Sequence, residues 1–115
     1  MIKKRLQSFV YAFQGIQALF RDEPNARIHL GAAVLVNVAG LWFKISTFEW
    51  VALWVCIGLV FIAEIINTAL ENICDHISPE KNVRIGEIKD LAAAAVLISV
   101  VISVIVAALI FAGKI

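Results

Sequence analysis

The chain alternates between four largely hydrophobic stretches and short polar segments. The first stretch, residues 2–20, repeats hydrophobic side chains at intervals of three and four, the spacing of one face of an α-helix. These side chains are Leu6, Phe9, Val10, Phe13, Ile16 and Phe20. The opposite side is mostly polar, so the pattern predicts an amphipathic helix. Two compatible positions remain open for it: in the membrane interface, or packed against the chain's own helices.

The other three stretches are hydrophobic on nearly every side, which is typical of helices that cross a membrane. They cover residues 28–43, 50–74 and 91–113. The last carries no charge and, at about 1.5 Å per residue, is long enough to cross the hydrocarbon. Pro24, in the polar segment before the first span, fits the first turn of a new helix. His29, near the start of that span, is expected to lie at the membrane interface rather than to bind a metal.

Composition supports this interpretation. Hydrophobic residues make up 62% of the 115 residues and charged residues 17%, against about 45–50% and 25% in average usage. The length suits one domain over residues 1–115. The net charge is +1, and no basic tail or basic-aromatic patch is present, which argues against nucleic acid as a partner. The sequence therefore predicts an all-α membrane protein.

The basic residues predict the orientation. With three crossings, the N-terminal segment and the polar segment 75–90 lie on the same side of the membrane. The basic residues on that side are Lys3, Lys4, Arg5, Arg21, Arg27, Lys81, Arg84 and Lys89. Only Lys44 and Lys114 lie on the other side. Because positively charged residues accumulate on the cytoplasmic side, the N-terminus is expected to be cytoplasmic.

A polar stripe runs along the second predicted span. It begins at Glu64, a charge inside an otherwise hydrophobic run, and its members are Glu64, Asn67, Thr68, Glu71 and Asp75. At 3.6 residues per turn, these side chains share one helical face. Lipid offers such a stripe no partner, and ionisable residues inside a membrane are functional by default.

Glu64 lies about two helical turns, roughly 10 Å, deeper than Glu71. Desolvation at that depth disfavours the charged form of a carboxylate, which suits Glu64 to accept a proton from a hydroxyl group. Two other interpretations remain: a protonated Glu64 that hydrogen-bonds a neighbouring helix, and a carboxylate of a proton-coupled transporter. A non-catalytic membrane component would leave the spacing of the stripe without a reason.

Glu71 and Asp75 lie nearer the cytoplasmic surface. With Asp22 or Glu23 they form a set that can hold Mg²⁺, which favours one or two carboxylates plus phosphate oxygens and water. The alternative is a solvated acidic cluster balanced by basic residues nearby. No glycine-rich phosphate loop is present, so a nucleotide would be held by basic side chains and a metal.

The stretch Glu64-Ile-Ile-Asn67-Thr68-Ala-Leu-Glu71, followed by Asp75 and by Ile88-Lys89-Asp90-Leu-Ala-Ala-Ala-Ala, resembles the signature of the small prokaryotic diacylglycerol kinase family. That family includes the undecaprenol kinases, and the likeness covers nearly the whole chain. It implies a kinase of the bacterial inner membrane with an N-terminal surface helix and three transmembrane helices. It also implies a homotrimer with active sites between subunits, which transfers the γ-phosphate of ATP, with Mg²⁺, to the hydroxyl of a lipid.

The same resemblance implies roles for single residues. Glu64 matches the proposed general base and Asn67 the polar residue beside it, while Asp75 supports the site. Glu23 and Glu71 match the metal-binding carboxylates. The positions that match contacts to ATP are Lys4, Tyr11, Glu23, Glu71, Glu80, Lys89 and Asp90.

Two positions depart from the family pattern. Gln14 stands where a basic residue is expected before Gly15, and Asn82 stands where a histidine is common in the loop. Both concern the contacts to ATP and neither touches the core of the signature.

The sequence therefore predicts a lipid kinase for diacylglycerol or undecaprenol, with a proton-coupled transporter as the alternative. A transporter needs polar groups that reach both membrane faces. The outer halves of the spans carry almost no polar side chains, which argues against a transporter. The segments 25–29 and 46–50 look closer to undecaprenol kinases than to the diacylglycerol enzymes of Gram-negative bacteria.

Overall fold

The structure, a computed structural model, describes all 115 residues and consists of four α-helices. Helix α1 comprises Ile2–Asp22, α2 Pro24–Phe43, α3 Thr47–Ile77 and α4 Val83–Phe111. Helices α2, α3 and α4 are each long and hydrophobic enough to cross a membrane. The predicted all-α fold is confirmed, with three helices that are long and hydrophobic enough to cross a membrane.

The buried core is small. Only 12 of the 115 residues are buried, and most large hydrophobic side chains face outward. Helices α3 and α4 form the most extensive pair, and α1 and α2 contact α3 more sparingly. One cluster of Ile45, Leu53 and Ile110 lies where the α2–α3 turn meets the end of α4. Outward hydrophobic surface of this extent is expected of helices that contact lipid or other subunits.

A single residue, Glu23, separates α1 from α2, with an extended backbone (φ −113°, ψ 104°). Pro24 opens α2, as the sequence predicts. Arg27 keeps the break this short, because its guanidinium donates to the main-chain carbonyl of Phe20 (2.7 Å) and to that of Arg21. These carbonyls at the end of α1 would otherwise lack partners, and a cation is favourable there. The hydrogen bonds of Arg27 across this break therefore fix the position of Glu23.

The turn between α2 and α3 is closed by local contacts. Lys44 ends α2 in the left-handed region (φ 51°, ψ 55°). Ser46 caps α3: its hydroxyl accepts from the Glu49 N–H (3.2 Å), and its own N–H donates to the Glu49 carboxylate (2.9 Å). The second Glu49 oxygen accepts from Lys114 Nζ (2.9 Å), which ties the end of α4 to the start of α3.

Helix α4 begins at Val83, eight residues before the predicted span at Leu91. The cause is Asn82, whose side-chain oxygen accepts from the main-chain N–H groups of Arg84 (2.9 Å) and Ile85 (3.2 Å). An asparagine cap of this kind satisfies donors that the first helical turn leaves free. The position that departs from the family pattern therefore starts a helix, and the polar segment predicted between the last two spans is mostly helical.

Gly40 lets α2 approach the start of α3. A Cβ atom at this position would lie 2.7 Å from Cη2 of Trp50 and 3.0 Å from Cδ1 of Ile45. We expect Gly40→Ala to lower the unfolding free energy by about 1–3 kcal/mol, because the rigid indole must move. Thermal unfolding in detergent measures the change. Gly31→Ala on the same helix is the matched control, since its Cβ meets nothing within 4 Å. Equal melting temperatures for the two variants would contradict the Trp50 contact.

Candidate active site

The polar stripe lies on α3 and faces α2. Glu64 and Asn67 are buried, and only 1% of the Glu64 side chain is exposed. Asn67 Nδ2 donates to Glu71 Oε1 over 3.2 Å, a contact that two positions one helical turn apart allow. Asn67 and Glu71 are therefore joined by a hydrogen bond, and Glu64 lies buried on the same helical face.

Polar contacts fix how α2 and the residue before it lie along α3. The pairs are Glu23 with Thr68 (3.4 Å), His29 with Glu64 (3.4 Å) and Asn37 with Trp54 (3.0 Å). Residue numbers rise along α2 as they fall along α3, as two antiparallel helices require. This register brings Glu23, from the break after α1, to the polar stripe.

The structure distinguishes the two acids at the α1–α2 break. Arg21 donates Nε and Nη2 to the two carboxylate oxygens of Asp22, at 2.9 and 3.0 Å. These hydrogen bonds favour the charged carboxylate and hold the pKa of Asp22 below its usual range. Glu23 instead accepts from Thr68. Of the two acids considered for Mg²⁺, Glu23 is the one that contacts the stripe.

Two buried oxygens in the stripe, Glu64 Oε2 and Asn67 Oδ1, have no hydrogen-bond partner. Unpartnered buried polar atoms are rare and costly, so they mark a place where a ligand is expected. Glu23 and Glu71 act electrostatically on Glu64. The donors gathered here are oxygens, the ligands that Mg²⁺ prefers. No group of three or more His, Cys, Asp or Glu side chains is placed to hold a metal ion by itself. Glu23 and Glu71 instead suit an ion that takes its other ligands from phosphate and water.

A layer of charge lies beyond this group, toward the end of α3. Lys89 Nζ on α4 donates to Asp75 Oδ1 over 2.7 Å, and Glu71 acts electrostatically on the same ammonium group. A lysine ammonium is a compact charge that suits phosphate binding. The structure thus pairs Lys89 with Asp75, within electrostatic range of Glu71.

Four residues that the resemblance relates to ATP make no side-chain hydrogen bond or ion pair with this group. Lys4 and Tyr11 are exposed on α1, Glu80 is exposed in the α3–α4 loop, and Asp90 is exposed on α4. Their roles remain predictions.

Sequence reasoning gave no site role to His29, and it placed Thr68 on the stripe without a function. The His29 side chain is 21% exposed and contacts Glu64. Both residues reach the site because α2 packs antiparallel to α3. The spacing of side chains within each helix does not predict how two helices pack against each other.

A hydrophobic groove of about 160 Å³ leads away from His29 between α2, α3 and α4. Eleven of its 13 lining residues are hydrophobic, and the other two are His29 and Ser103. The Ser103 hydroxyl is already engaged with the main-chain oxygens of Ser99 (2.8 Å) and Cys56 (3.3 Å). The groove therefore offers a hydrocarbon surface that ends at a polar group one contact from Glu64.

The fold and this arrangement define a class: an all-α membrane protein with a buried carboxylate beside an acidic and basic layer suited to phosphate chemistry. The model of the prokaryotic diacylglycerol kinase family matches residues 10–111. The chain belongs to the prokaryotic diacylglycerol kinase family.

Curated relatives agree with this family. An undecaprenol kinase of Bacillus subtilis (strain 168) is 36% identical over 98% of this chain and 92% of its own. A diacylglycerol kinase of Escherichia coli (strain K12) is 34% identical over 83% and 78% of the two chains. One from Synechocystis sp. is 38% identical over 88% of this chain and 58% of its own. The chain is accordingly a membrane lipid kinase with ATP as co-substrate, and the transporter alternative gains no support.

Proposed function

We propose that this kinase transfers the γ-phosphate of ATP, with Mg²⁺, to the hydroxyl of a long-chain membrane alcohol. The observation that carries the proposal is the Glu64 carboxylate, which is buried on α3 in contact with His29 at the hydrophobic groove. Glu23 and Glu71 act electrostatically on this carboxylate and are oxygen donors suited to a metal. Phosphoryl transfer is mainly positioning and charge neutralisation, so a small set of side chains suffices.

In the proposed reaction, Glu64 accepts the proton of the lipid hydroxyl. The hydroxyl oxygen forms a bond to the γ-phosphorus, the bond from that phosphorus to the bridging oxygen breaks, and ADP leaves with its electron pair. Glu23 and Glu71 would hold Mg²⁺, which neutralises charge on the phosphate oxygens. Asn67 orients Glu71 through its amide.

The nucleotide would lie at the charged end of the bundle. Lys89 contacts Asp75 beside Glu71 and supplies a positive charge for a phosphate. The further contacts proposed for ATP come from the resemblance to the family: Lys4, Tyr11, Glu80 and Asp90. Since these side chains are exposed in a single chain, a neighbouring subunit can bring them to the nucleotide.

We also propose one domain over residues 1–115 that assembles as a homotrimer with sites between subunits. The small buried core supports assembly, and only 6% of the most hydrophobic part of α4 is buried within one chain. The proposed position is the bacterial inner membrane, with α1 on the membrane surface and the N-terminus in the cytoplasm. The excess of basic residues at this end supports that orientation.

Undecaprenol is the acceptor that the groove favours. The groove is lined almost entirely by hydrophobic side chains, and the Ser103 hydroxyl among them is engaged by main-chain oxygens. Diacylglycerol carries two ester groups close to its hydroxyl, whereas a polyprenol is hydrocarbon up to its terminal carbon. The relative that covers most of this chain among those compared above is also named an undecaprenol kinase.

The test compares both lipids in the same detergent micelles at equal mole fraction, with labelled ATP and Mg²⁺. We expect phosphorylated undecaprenol, with kcat/KM at least about 10-fold above the value for diacylglycerol, because unpaired ester groups disfavour the latter. A preference for diacylglycerol would overturn the acceptor assignment. Failure to phosphorylate either lipid would overturn the proposed function itself.

A further inference from the structure

The strongest unassigned feature of the site is the contact between His29 on α2 and Glu64 on α3. His29 Nε2 lies 3.4 Å from Glu64 Oε2, and the two side chains are 21% and 1% exposed. His29 also lines the end of the hydrophobic groove. His29 therefore contacts the buried carboxylate and also lines the groove.

A buried carboxylate needs hydrogen-bond donors, and this one has few available. Glu64 Oε2 has no aligned hydrogen bond in the structure. The nearby carboxylates of Glu23 and Glu71 are acceptors when charged and repel a charged Glu64. His29 is the neighbour that can donate, since one nitrogen of a neutral imidazole carries a hydrogen. Hydrogen bonds in active sites are often long without substrate and shorten when it binds.

From this geometry we infer that His29 is a positioning residue for Glu64. Its Nε2–H donates to Oε2 and holds one carboxylate oxygen, so that Oε1 is directed to the lipid hydroxyl. The terminal torsion of a glutamate is soft, and the carboxylate would otherwise rotate freely between orientations. This inference rests on the proposed function, because it concerns the base of the same reaction.

The test uses three substitutions of His29 in the full-length protein. Leucine removes the donor and keeps bulk, glutamine places an N–H at the same distance along the side chain as Nε2, and asparagine places one too near the backbone. We expect His29→Leu to lower kcat about 10- to 100-fold, as loss of an orienting partner does elsewhere, with the KM for ATP and lipid little changed. His29→Gln should restore most of kcat, and His29→Asn should not.

His76 provides the matched control, because it is the other histidine of the chain and is exposed near the end of α3. We expect His76→Leu to behave as the wild-type protein does. Size-exclusion profiles in detergent confirm that each variant is folded. An inactive wild-type protein would overturn the proposed function, whereas an active wild type with an equally active His29→Leu variant would overturn only this inference.

Two further results would also overturn the positioning role. If glutamine failed to restore kcat, the imidazole would itself be taking the proton, since an amide donates but is not a base. If His29→Leu changed only the KM for lipid, His29 would be a wall of the groove and not a partner of Glu64.

Discussion

Glu64→Gln should abolish lipid phosphorylation, lowering kcat by about 10³-fold, within the range that general-base catalysis supplies. Glutamine has the same shape as glutamate but cannot accept the hydroxyl proton. The fold should remain intact, because an amide is less costly to bury than a carboxylate. Labelled ATP and undecaprenol in micelles measure the rate, and thermal unfolding in the same detergent measures the stability.

Glu49→Gln is the matched control for this variant. Glu49 lies on the same helix, at the end remote from the polar stripe, and its contacts are with Ser46 and Lys114. The substitution removes one carboxylate charge from α3 just as Glu64→Gln does, and we expect nearly normal turnover. Full activity of Glu64→Gln would refute the assignment of Glu64 as the base.

Glu71→Gln and Glu23→Gln should each lower kcat by about 10²-fold and raise the Mg²⁺ concentration needed for half-maximal rate. A neutral amide oxygen is a weaker ligand for Mg²⁺ than a carboxylate, and this ion relies on only one or two carboxylates from the protein. The measurement is the initial rate as a function of free Mg²⁺ at saturating lipid.

Asp22→Asn tests the choice between the two acids at the α1–α2 break. Asp22 is exposed and paired with Arg21, whereas Glu23 contacts Thr68 on α3. We therefore expect Asp22→Asn to keep the normal Mg²⁺ dependence. A changed dependence in Asp22→Asn with an unchanged one in Glu23→Gln would reverse the assignment.

Much of the fold could be predicted from periodicity, because each helix is specified by its own sequence. The end of α1 and the start of α4 could not, since they depend on single polar contacts. Arg27 reaches back from α2 to the last carbonyls of α1. Asn82 binds the first main-chain N–H groups of α4 and starts that helix early. Neither contact follows from the hydrophobic pattern.

The candidate site, like the fold, could be predicted only in part from the sequence. Glu64, Asn67 and Glu71 share one face of one helix, so their spacing alone placed them together. The contacts of Glu23 with Thr68 and of His29 with Glu64 depend on how α2 lies along α3. The spacing of side chains within one helix does not give this register, which is why the contact of His29 with Glu64 was found only in the structure.

We propose that Glu64 takes the proton of a lipid hydroxyl next to a nucleotide held at Glu23 and Glu71. The most direct measurement is an experimental structure of the assembled protein with undecaprenol, Mg²⁺ and a non-hydrolysable ATP analogue. We expect the hydroxyl oxygen within about 2.6–3.2 Å of a Glu64 carboxylate oxygen, with the γ-phosphate next to that hydroxyl. A Glu64 that faces bulk lipid, with Glu23 and Glu71 far apart in the assembly, would contradict it.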